Sequence, residues 1–280
     1  MTFLVIGGTG KTGRRVVDRL TDRGVAVRVG SRTGTPRFDW AERDTWAPAF
    51  AGVRAAYVTF YPDLAVPGSP ALIGDLARVA AAAGVEHLVL LSGRGEEEAQ
   101  ASEAAFAAAV EGTGTAWTVV RASWFMQNFS EAFMADGVRD GTLVLPAGEV
   151  PEPFVDCDDI ADVVVAALTG DAPAGRVYEV TGPRALTFAE AAREIAKAGG
   201  REVTFVPVPL DAYAGELRGY GVPEEEIGLI VYLFGEVLDG RNARTTDGVR
   251  DALGRAPRDF ADYARDAAAS GAWEPATAGG

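Results

Sequence analysis

Cysteine, histidine and lysine are almost absent from this chain: its 280 residues hold one cysteine (Cys157), one histidine (His87) and two lysines (Lys11 and Lys197). A lone cysteine closes no internal disulfide, which suits a reducing compartment. One histidine and one cysteine fall short of the usual zinc ligand set, so no metal is expected. His87 opens an apolar run and reads as a packing or sheet-edge residue rather than a catalytic one. A Ser-His-Asp hydrolase is excluded as well, because the glycine–serine elbow after a strand is missing. Bases are the minority, 26 against 40 acids, for a net charge of −14 and a pI near 4.6. Nucleic-acid binders carry a basic face, so no nucleic-acid partner is expected. No apolar run approaches bilayer-spanning length. The opening residues lack the basic region and small-residue cleavage site of a signal peptide. The expectation is a cytoplasmic protein with no membrane partner.

Hydrophobic residues make up 48% of the chain, enough for a large core. Apolar runs recur as TFLVIG, AVRVG, AAYVTF, HLVLLS, AWTVVRA and, later, RVYEV. Such near-continuous runs suit parallel strands covered on both faces. Helical patterns over residues 14–23, 72–83, 96–111 and 158–168 separate them. Strands alternating with helices predict right-handed crossovers and an α/β fold with a doubly wound parallel (Rossmann) sheet. From about Leu186 the texture changes. TFAEAAREIAKAG reads as an amphipathic helix, EVTFVPV as a short strand, and residues 227–238 as apolar helix, with two more helical stretches ending near Trp273. We therefore expect residues 1–185 to form the sheet domain and residues 186–275 a small, mostly helical C-terminal lobe at the carboxyl edge of the sheet. That boundary is approximate, the lobes being interleaved. The closing EPATAGG reads as a frayed tail.

Gly7, Gly10 and Gly13 follow the first strand at GxxGxxG spacing and open the first helix. The first glycine permits a tight turn, the second a close backbone approach to a pyrophosphate, and the third close packing of helix on strand. The helix start then offers its N–H groups and dipole to phosphates, with Lys11 beside them and Thr9 and Thr12 adding hydroxyls. A P-loop is excluded, since GGTGKTG lacks the spacing in which Gly-Lys-Ser/Thr closes the loop. The second strand ends VRVGSRT, where NAD-selective sites place an acid for the ribose 2′-hydroxyl. Ser31 and Arg32 stand there instead, and a guanidinium that donates two hydrogen bonds suits a 2′-phosphate. The expected cofactor is NADP(H). Asp39 and Trp40 are candidates to flank the adenine, Trp40 being equally suited to the core, and Phe60 to line the groove.

Ligands of doubly wound sheets lie beyond the carboxyl ends of the strands. Ser92 and Ala122, ending the fourth and fifth strands, are therefore placed toward the nicotinamide end. Trp124, Phe125 and Asn128 in RASWFMQNF are candidate substrate contacts, though Phe125 also suits the core. The C-terminal lobe offers Tyr213, Tyr220, Tyr232 and Phe234 as further walls. An apolar pocket with few charges suits a hydrophobic aromatic or polycyclic small molecule.

Taken together, GGTGKTG, VGSRT, VVRASWFMQNF, FVDCDDIADVVVAAL and VTGPRALTFAEAAREIA resemble the NmrA-like branch of atypical short-chain dehydrogenases/reductases. The closing TTDGVRDALGRAPRDFADYARDAAASGAW is similar to the subgroup with ergot-alkaloid-type reductases. The resemblance spans nearly the whole chain and implies a Rossmann domain, a substrate lobe and usually NADP(H). It favours a helix-capping role for Asp158 over a cation site at Asp156, Asp158 and Asp159. Relatives of this kind include reductases of iminium ions and quinones, and also catalytically silent redox sensors.

Most short-chain dehydrogenases use a Tyr-x-x-x-Lys pair after the fourth strand, lysine lowering the tyrosine pKa for proton transfer. Here no tyrosine lies between Tyr61 and Tyr178 and no lysine between Lys11 and Lys197, so that relay is excluded. Ser92 remains as the one weak catalytic candidate. Glu96, Glu97, Glu98 and Glu103 occupy the region, read as acids complementing a helix dipole. The expectation is an NADPH-dependent reductase of a hydrophobic, activated acceptor (iminium, quinone or activated alkene) in specialised metabolism, working as a monomer or homodimer. The alternatives are an NADP(H)-sensing regulator without turnover and a non-redox cyclase or isomerase.

Overall fold

The computed structural model describes residues 2–274, so the frayed tail expected after Glu274 lies outside the described residues. The elements run β1 (Thr2–Ile6), α1 (Lys11–Asp22), β2 (Ala26–Gly30), α2 (Trp46–Phe50), β3 (Val53–Val58), α3 (Ser69–Ala82), β4 (His87–Gly93), α4 (Glu97–Val110) and β5 (Ala116–Ala122). Then come α5 (Asn128–Glu131), α6 (Met134–Arg139), β6 (Thr142–Leu145), α7 (Cys157–Thr169), β7 (Arg176–Val180), α8 (Phe188–Gly199) and β8 (Thr204–Pro207). The chain closes with α9 (Leu210–Gly219), α10 (Glu224–Tyr232), α11 (Gly248–Leu253) and α12 (Phe260–Ala269).

Two compact units share these elements. The first takes the chain up to Ala122 with Cys157–Val180 and Thr246–Ala256; the second takes Ser123–Asp156, Thr181–Thr245 and the chain from Pro257 on. This differs from one boundary near residue 185. Ser123–Asp156 leaves the sheet unit, while α11 returns to it. The return has a steric basis: Gly248 lies so close to the Glu179 backbone that a Cβ there would overlap it.

In the first unit all six strands are parallel, in the order β2-β1-β3-β4-β5-β7. This is the doubly wound sheet. Its apolar runs are buried because both faces are covered: Leu4, Val5, Ala56, Val58, Leu88, Leu90, Val119 and Val120 have no exposed surface. Helix α1 is amphipathic, with Thr12, Val16 and Leu20 buried along one face at the spacing of a helical turn. The chain steps outward from β1 to β2 and then back across β1 to β3. That reversal opens the crevice at the carboxyl ends of β1 and β3 where such sheets take ligands.

The second unit pairs β6 with β8 in parallel and surrounds them with helices. The expected EVTFVPV strand shrinks to Thr204–Pro207, and its partner TLVL is too short a pattern to stand out in the sequence. The expected helix over residues 227–238 becomes α10 followed by one wider turn, in which Leu238 N–H donates to the Leu233 carbonyl at 3.0 Å. Helix α8 starts at a reciprocal cap: Thr187 Oγ1 accepts the Glu190 N–H at 3.1 Å, and Glu190 accepts the Thr187 N–H at 2.9 Å. Phe129, Phe154, Phe188 and Phe260 form the centre of this unit, packed edge-to-face or tilted.

Phe188 is fully buried, 5.2 Å from the Phe154 ring and 5.7 Å from Trp124. Phe188→Ala should therefore cost about 3–5 kcal/mol. Urea unfolding followed by circular dichroism checks this; an unchanged midpoint would mean that the aromatic cluster does not hold the unit together.

Candidate functional site

The loop after β1 is built from backbone contacts. Gly7 sits at φ +73, and a side chain there would overlap Thr59 Oγ1. Its N–H donates to the Gly30 carbonyl at 3.2 Å, and its own carbonyl accepts the Gly10 N–H at 2.9 Å. At Gly13 a Cβ would strike the Gly7 carbonyl, so only glycine lets α1 approach β1 this closely. Gly10 is different. Its backbone is extended, and a Cβ would meet only the Gly7 oxygen at 3.3 Å. A Cβ at this exposed position needs the Gly7 oxygen to give by only a few tenths of an ångström, and no side chain caps α1 there. The helix start thus presents N–H groups that no side chain caps.

Thr9 is exposed and Lys11 half-buried. Thr12 turns inward: it is 4% exposed, and its hydroxyl accepts a hydrogen bond from the buried Tyr57 hydroxyl at 3.0 Å. Burial pushes the Tyr57 phenol far above its ordinary value, so it stays a donor.

After β2 the Ser31 carbonyl accepts N–H groups from Gly34 at 3.1 Å and Phe38 at 2.9 Å, which folds the loop back on itself. Arg32 is exposed and, among the described residues, makes no ion pair or side-chain hydrogen bond. That stands out in a chain where acids outnumber bases, because neighbouring Arg37 is clasped by Asp39 at 2.8 Å and Glu42 at 2.5 Å. Asp39 is accordingly engaged, its other carboxylate oxygen accepting the Ala41 N–H at 3.0 Å. Trp40 and Phe60, both half-buried, meet at 4.8 Å, and Trp40 also packs on Phe38 and Trp46. They form the rim of an aromatic cluster rather than its centre.

At the ends of β4 and β5 the polar side chains are committed to one another. Ser92 Oγ donates to Glu103 Oε1 at 2.6 Å, and Arg121 Nε donates to the same oxygen at 2.8 Å. Arg121 also reaches Glu179 at 3.3 Å, and the buried Arg94 pairs with Glu179 at 2.9 Å. Ala122 is buried, and its carbonyl accepts the Arg94 N–H at 3.1 Å. Glu97 and Glu98 do lie in the first turn of α4, but Glu96 and Glu103 are only 7% and 6% exposed. The helix-dipole reading is corrected for these two. Glu103, on α4, pairs with the half-buried Arg121, which sequence spacing cannot show because Arg121 lies on β5. Glu96 meets Asp63 from the loop after β3, a contact the sequence reading missed entirely.

The capping role expected for Asp158 is also corrected: α7 begins at Cys157, and Asp158 in its first turn pairs with Arg19 at 2.7 Å and Arg15 at 3.4 Å. Asp159 is buried against Arg255 at 2.6 Å. Among the described residues no group of His, Cys, Asp and Glu could hold a metal ion. His87 Nε2 lies 2.9 Å from Thr118 Oγ1, a packing role inside the sheet. No helix among the described residues is long and apolar enough to cross a membrane.

In the second unit Trp124 is half-buried among Phe188 and Phe234, at 5.7 and 4.9 Å. Phe125 is half-buried and bridges to Val155; Asn128 starts α5, and Tyr232 ends α10, both half-buried. Tyr213 lies 6.4 Å from Phe234, and Tyr220 is among the most exposed side chains, at 83%.

Comparison with known proteins agrees with this architecture. The chain is 31% identical to the NAD(P)H azoreductase of Xenophilus azovorans, covering 96% of this chain and 98% of that one. It is 30% identical to the agroclavine dehydrogenase of Claviceps fusiformis, with 95% and 97% covered. The fold matches the NADPH complex of an Escherichia coli NADPH-dependent quinone oxidoreductase at a TM-score of 0.77, with 18% identity, 94% of this chain and 99% of that chain covered. Residues 1–264 match the model of the NmrA-like family, and the chain belongs to that family.

Proposed function

We propose that this protein is an NADPH-dependent reductase that passes hydride to a hydrophobic acceptor already electrophilic enough to take it. The carrying observation is the first unit's crevice, where the uncapped start of α1 and its glycine turn lie beside the end of β2, which an unpaired arginine follows. Such a cradle fits a dinucleotide. The N–H groups opening α1 would hold the pyrophosphate, and Gly10 leaves room for it. Arg32 would take the 2′-phosphate, with Ser31 beside it. Trp40 and Phe60 offer ring faces on the same rim, and Asp39 fixes that loop through Arg37. Bound there, the cofactor would supply a hydride. The names of the NAD(P)H azoreductase and the agroclavine dehydrogenase support redox chemistry on a small molecule.

Ser92 is not free to act as a proton donor in the usual manner, since its hydroxyl already donates to Glu103. With no Tyr-Lys pair, unactivated ketones lose general-acid help commonly worth about 10²–10⁴ in rate. Iminium ions, quinones and activated alkenes are the acceptors that tolerate its absence best. Trp124, Phe125, Asn128 and Tyr232 remain our candidates for substrate contact.

Two substitutions test the cradle. Gly10→Val should leave the melting temperature within a few degrees, because Gly10 has ordinary extended dihedrals and a Cβ there asks only a small shift of the Gly7 oxygen, yet abolish NADPH binding. Intact binding would remove the loop assignment. Arg32→Ala should weaken NADPH about ten- to a hundredfold and leave NADH nearly untouched. Fluorescence titration reads both, and equal loss for the two cofactors would show that Arg32 does not read the 2′-phosphate. NADPH oxidation with iminium, quinone and simple-ketone panels tests the acceptor class, efficient ketone reduction being the contrary result.

A further inference from the structure

Beside the glycine turn, helix α1 meets the sheet through a bare contact and through a hydrogen bond. The contact is Gly13 against the Gly7 carbonyl, which sets how near the helix lies to β1. The hydrogen bond comes from β3, the neighbour of β1, where Tyr57 stands opposite Val5. Tyr57 is fully buried, and its hydroxyl donates to Thr12 Oγ1 at 3.0 Å. Thr12 is the second residue of α1, in the turn whose N–H groups precede the helical ladder. The first rung of that ladder is the Arg14 N–H on the Gly10 carbonyl at 3.1 Å. Among the described residues, neither the Tyr57 nor the Thr12 hydroxyl has another partner. The pairing is exclusive.

Phenylalanine would fill the same space without the cost of taking a hydroxyl out of water. The extra oxygen of Tyr57 is satisfied by Thr12 alone, so what it adds to the core is a tie between β3 and the start of α1. Contact between bare backbones fixes a distance. A hydrogen bond weakens steeply away from its line and so fixes a direction as well. Two residues further along, at the spacing that returns to the same face of a strand, Thr59 Oγ1 donates to the Ile6 carbonyl at 3.0 Å. The glycine turn is thus held from β3 on both sides, its strand end by Thr59 and its helix start by Tyr57.

We propose that Tyr57 is a positioning residue for the dinucleotide: acting through Thr12, it holds the first turn of α1 where its N–H groups take the pyrophosphate. This rests on the cradle reading above. Being fully buried, Tyr57 touches no ligand itself, and burial keeps its phenol protonated, so the tie persists across ordinary pH. A turn held in place beforehand spares the ligand the cost of ordering it. Both NADPH and NADH carry the pyrophosphate, so Tyr57 serves the two alike, whereas Arg32 serves the 2′-phosphate.

Tyr57→Phe keeps the ring and removes the tie. It should weaken NADPH and NADH by the same factor, about three- to tenfold, in fluorescence titrations well below the melting temperature. Adenosine 2′-monophosphate, which has the 2′-phosphate but no pyrophosphate, should bind as it does to wild type by calorimetry. General damage to the fold would weaken all three ligands. The variant Thr12→Val removes the acceptor and leaves the buried phenol unpaired, so it should melt below the double variant Tyr57→Phe/Thr12→Val. That double variant should lose no more dinucleotide affinity than Tyr57→Phe alone, because the two residues act as one unit. Unchanged dinucleotide affinity in Tyr57→Phe overturns the positioning role, as does an equal loss for adenosine 2′-monophosphate. Losses that add in the double variant, or a double variant that melts below Thr12→Val, overturn the action through Thr12. Wild-type protein that binds neither dinucleotide overturns the cradle reading and the positioning role with it.

Discussion

The first unit depends on the approach of one bare backbone to another, Gly13 in α1 against the Gly7 carbonyl at the end of β1. A side chain at either position would push the helix off the strand or into Thr59. Because the helix is held that close, its uncapped start lies at the crevice where the sheet reverses direction between β2 and β3. Everything ascribed to the cradle follows from that placement. Gly10 is less constrained than Gly7 or Gly13, a Cβ there meeting only the Gly7 oxygen at 3.3 Å.

A second constraint is electrostatic. The first unit buries Arg94, Glu96 and Glu103 near the carboxyl ends of β4 and β5, and each has a different remedy. Arg94 takes Glu179, Glu103 takes Arg121 and the Ser92 hydroxyl, and Glu96 takes a second acid. The first two are neutralised by opposite charge. The third is held by burial well above the usual carboxylate range. Ser92, the residue that survives from the usual catalytic set, is drawn into the structural part of this network.

The six strands of the main sheet were legible because strands covered on both faces leave continuous apolar runs, and the glycine loop because its turn and close approach require missing side chains at fixed spacing. The division of the chain was less legible. Hydropathy does not say that β7 must return to pair with β5, or that Gly248 must fit against Glu179. Strand β6 escaped because four residues carry too little pattern. Thr12 was read as a phosphate donor on spacing alone, and its turn toward Tyr57 comes from packing between α1 and β3. Asp63 had no signal at all: two acids on separate loops meet only because β3 and β4 are adjacent.

The central claim is that this chain uses the cradle for hydride transfer, and the most direct measurement is isotopic. NADPH deuterated at the transferring position of C4 is supplied with a quinone and with an iminium, and the products are examined by mass spectrometry. The account predicts cofactor oxidation matched by deuterium in the product. Conversion of an acceptor with no label transferred and no cofactor oxidised would contradict it, and would make the cradle a binding site for something other than a working reductant.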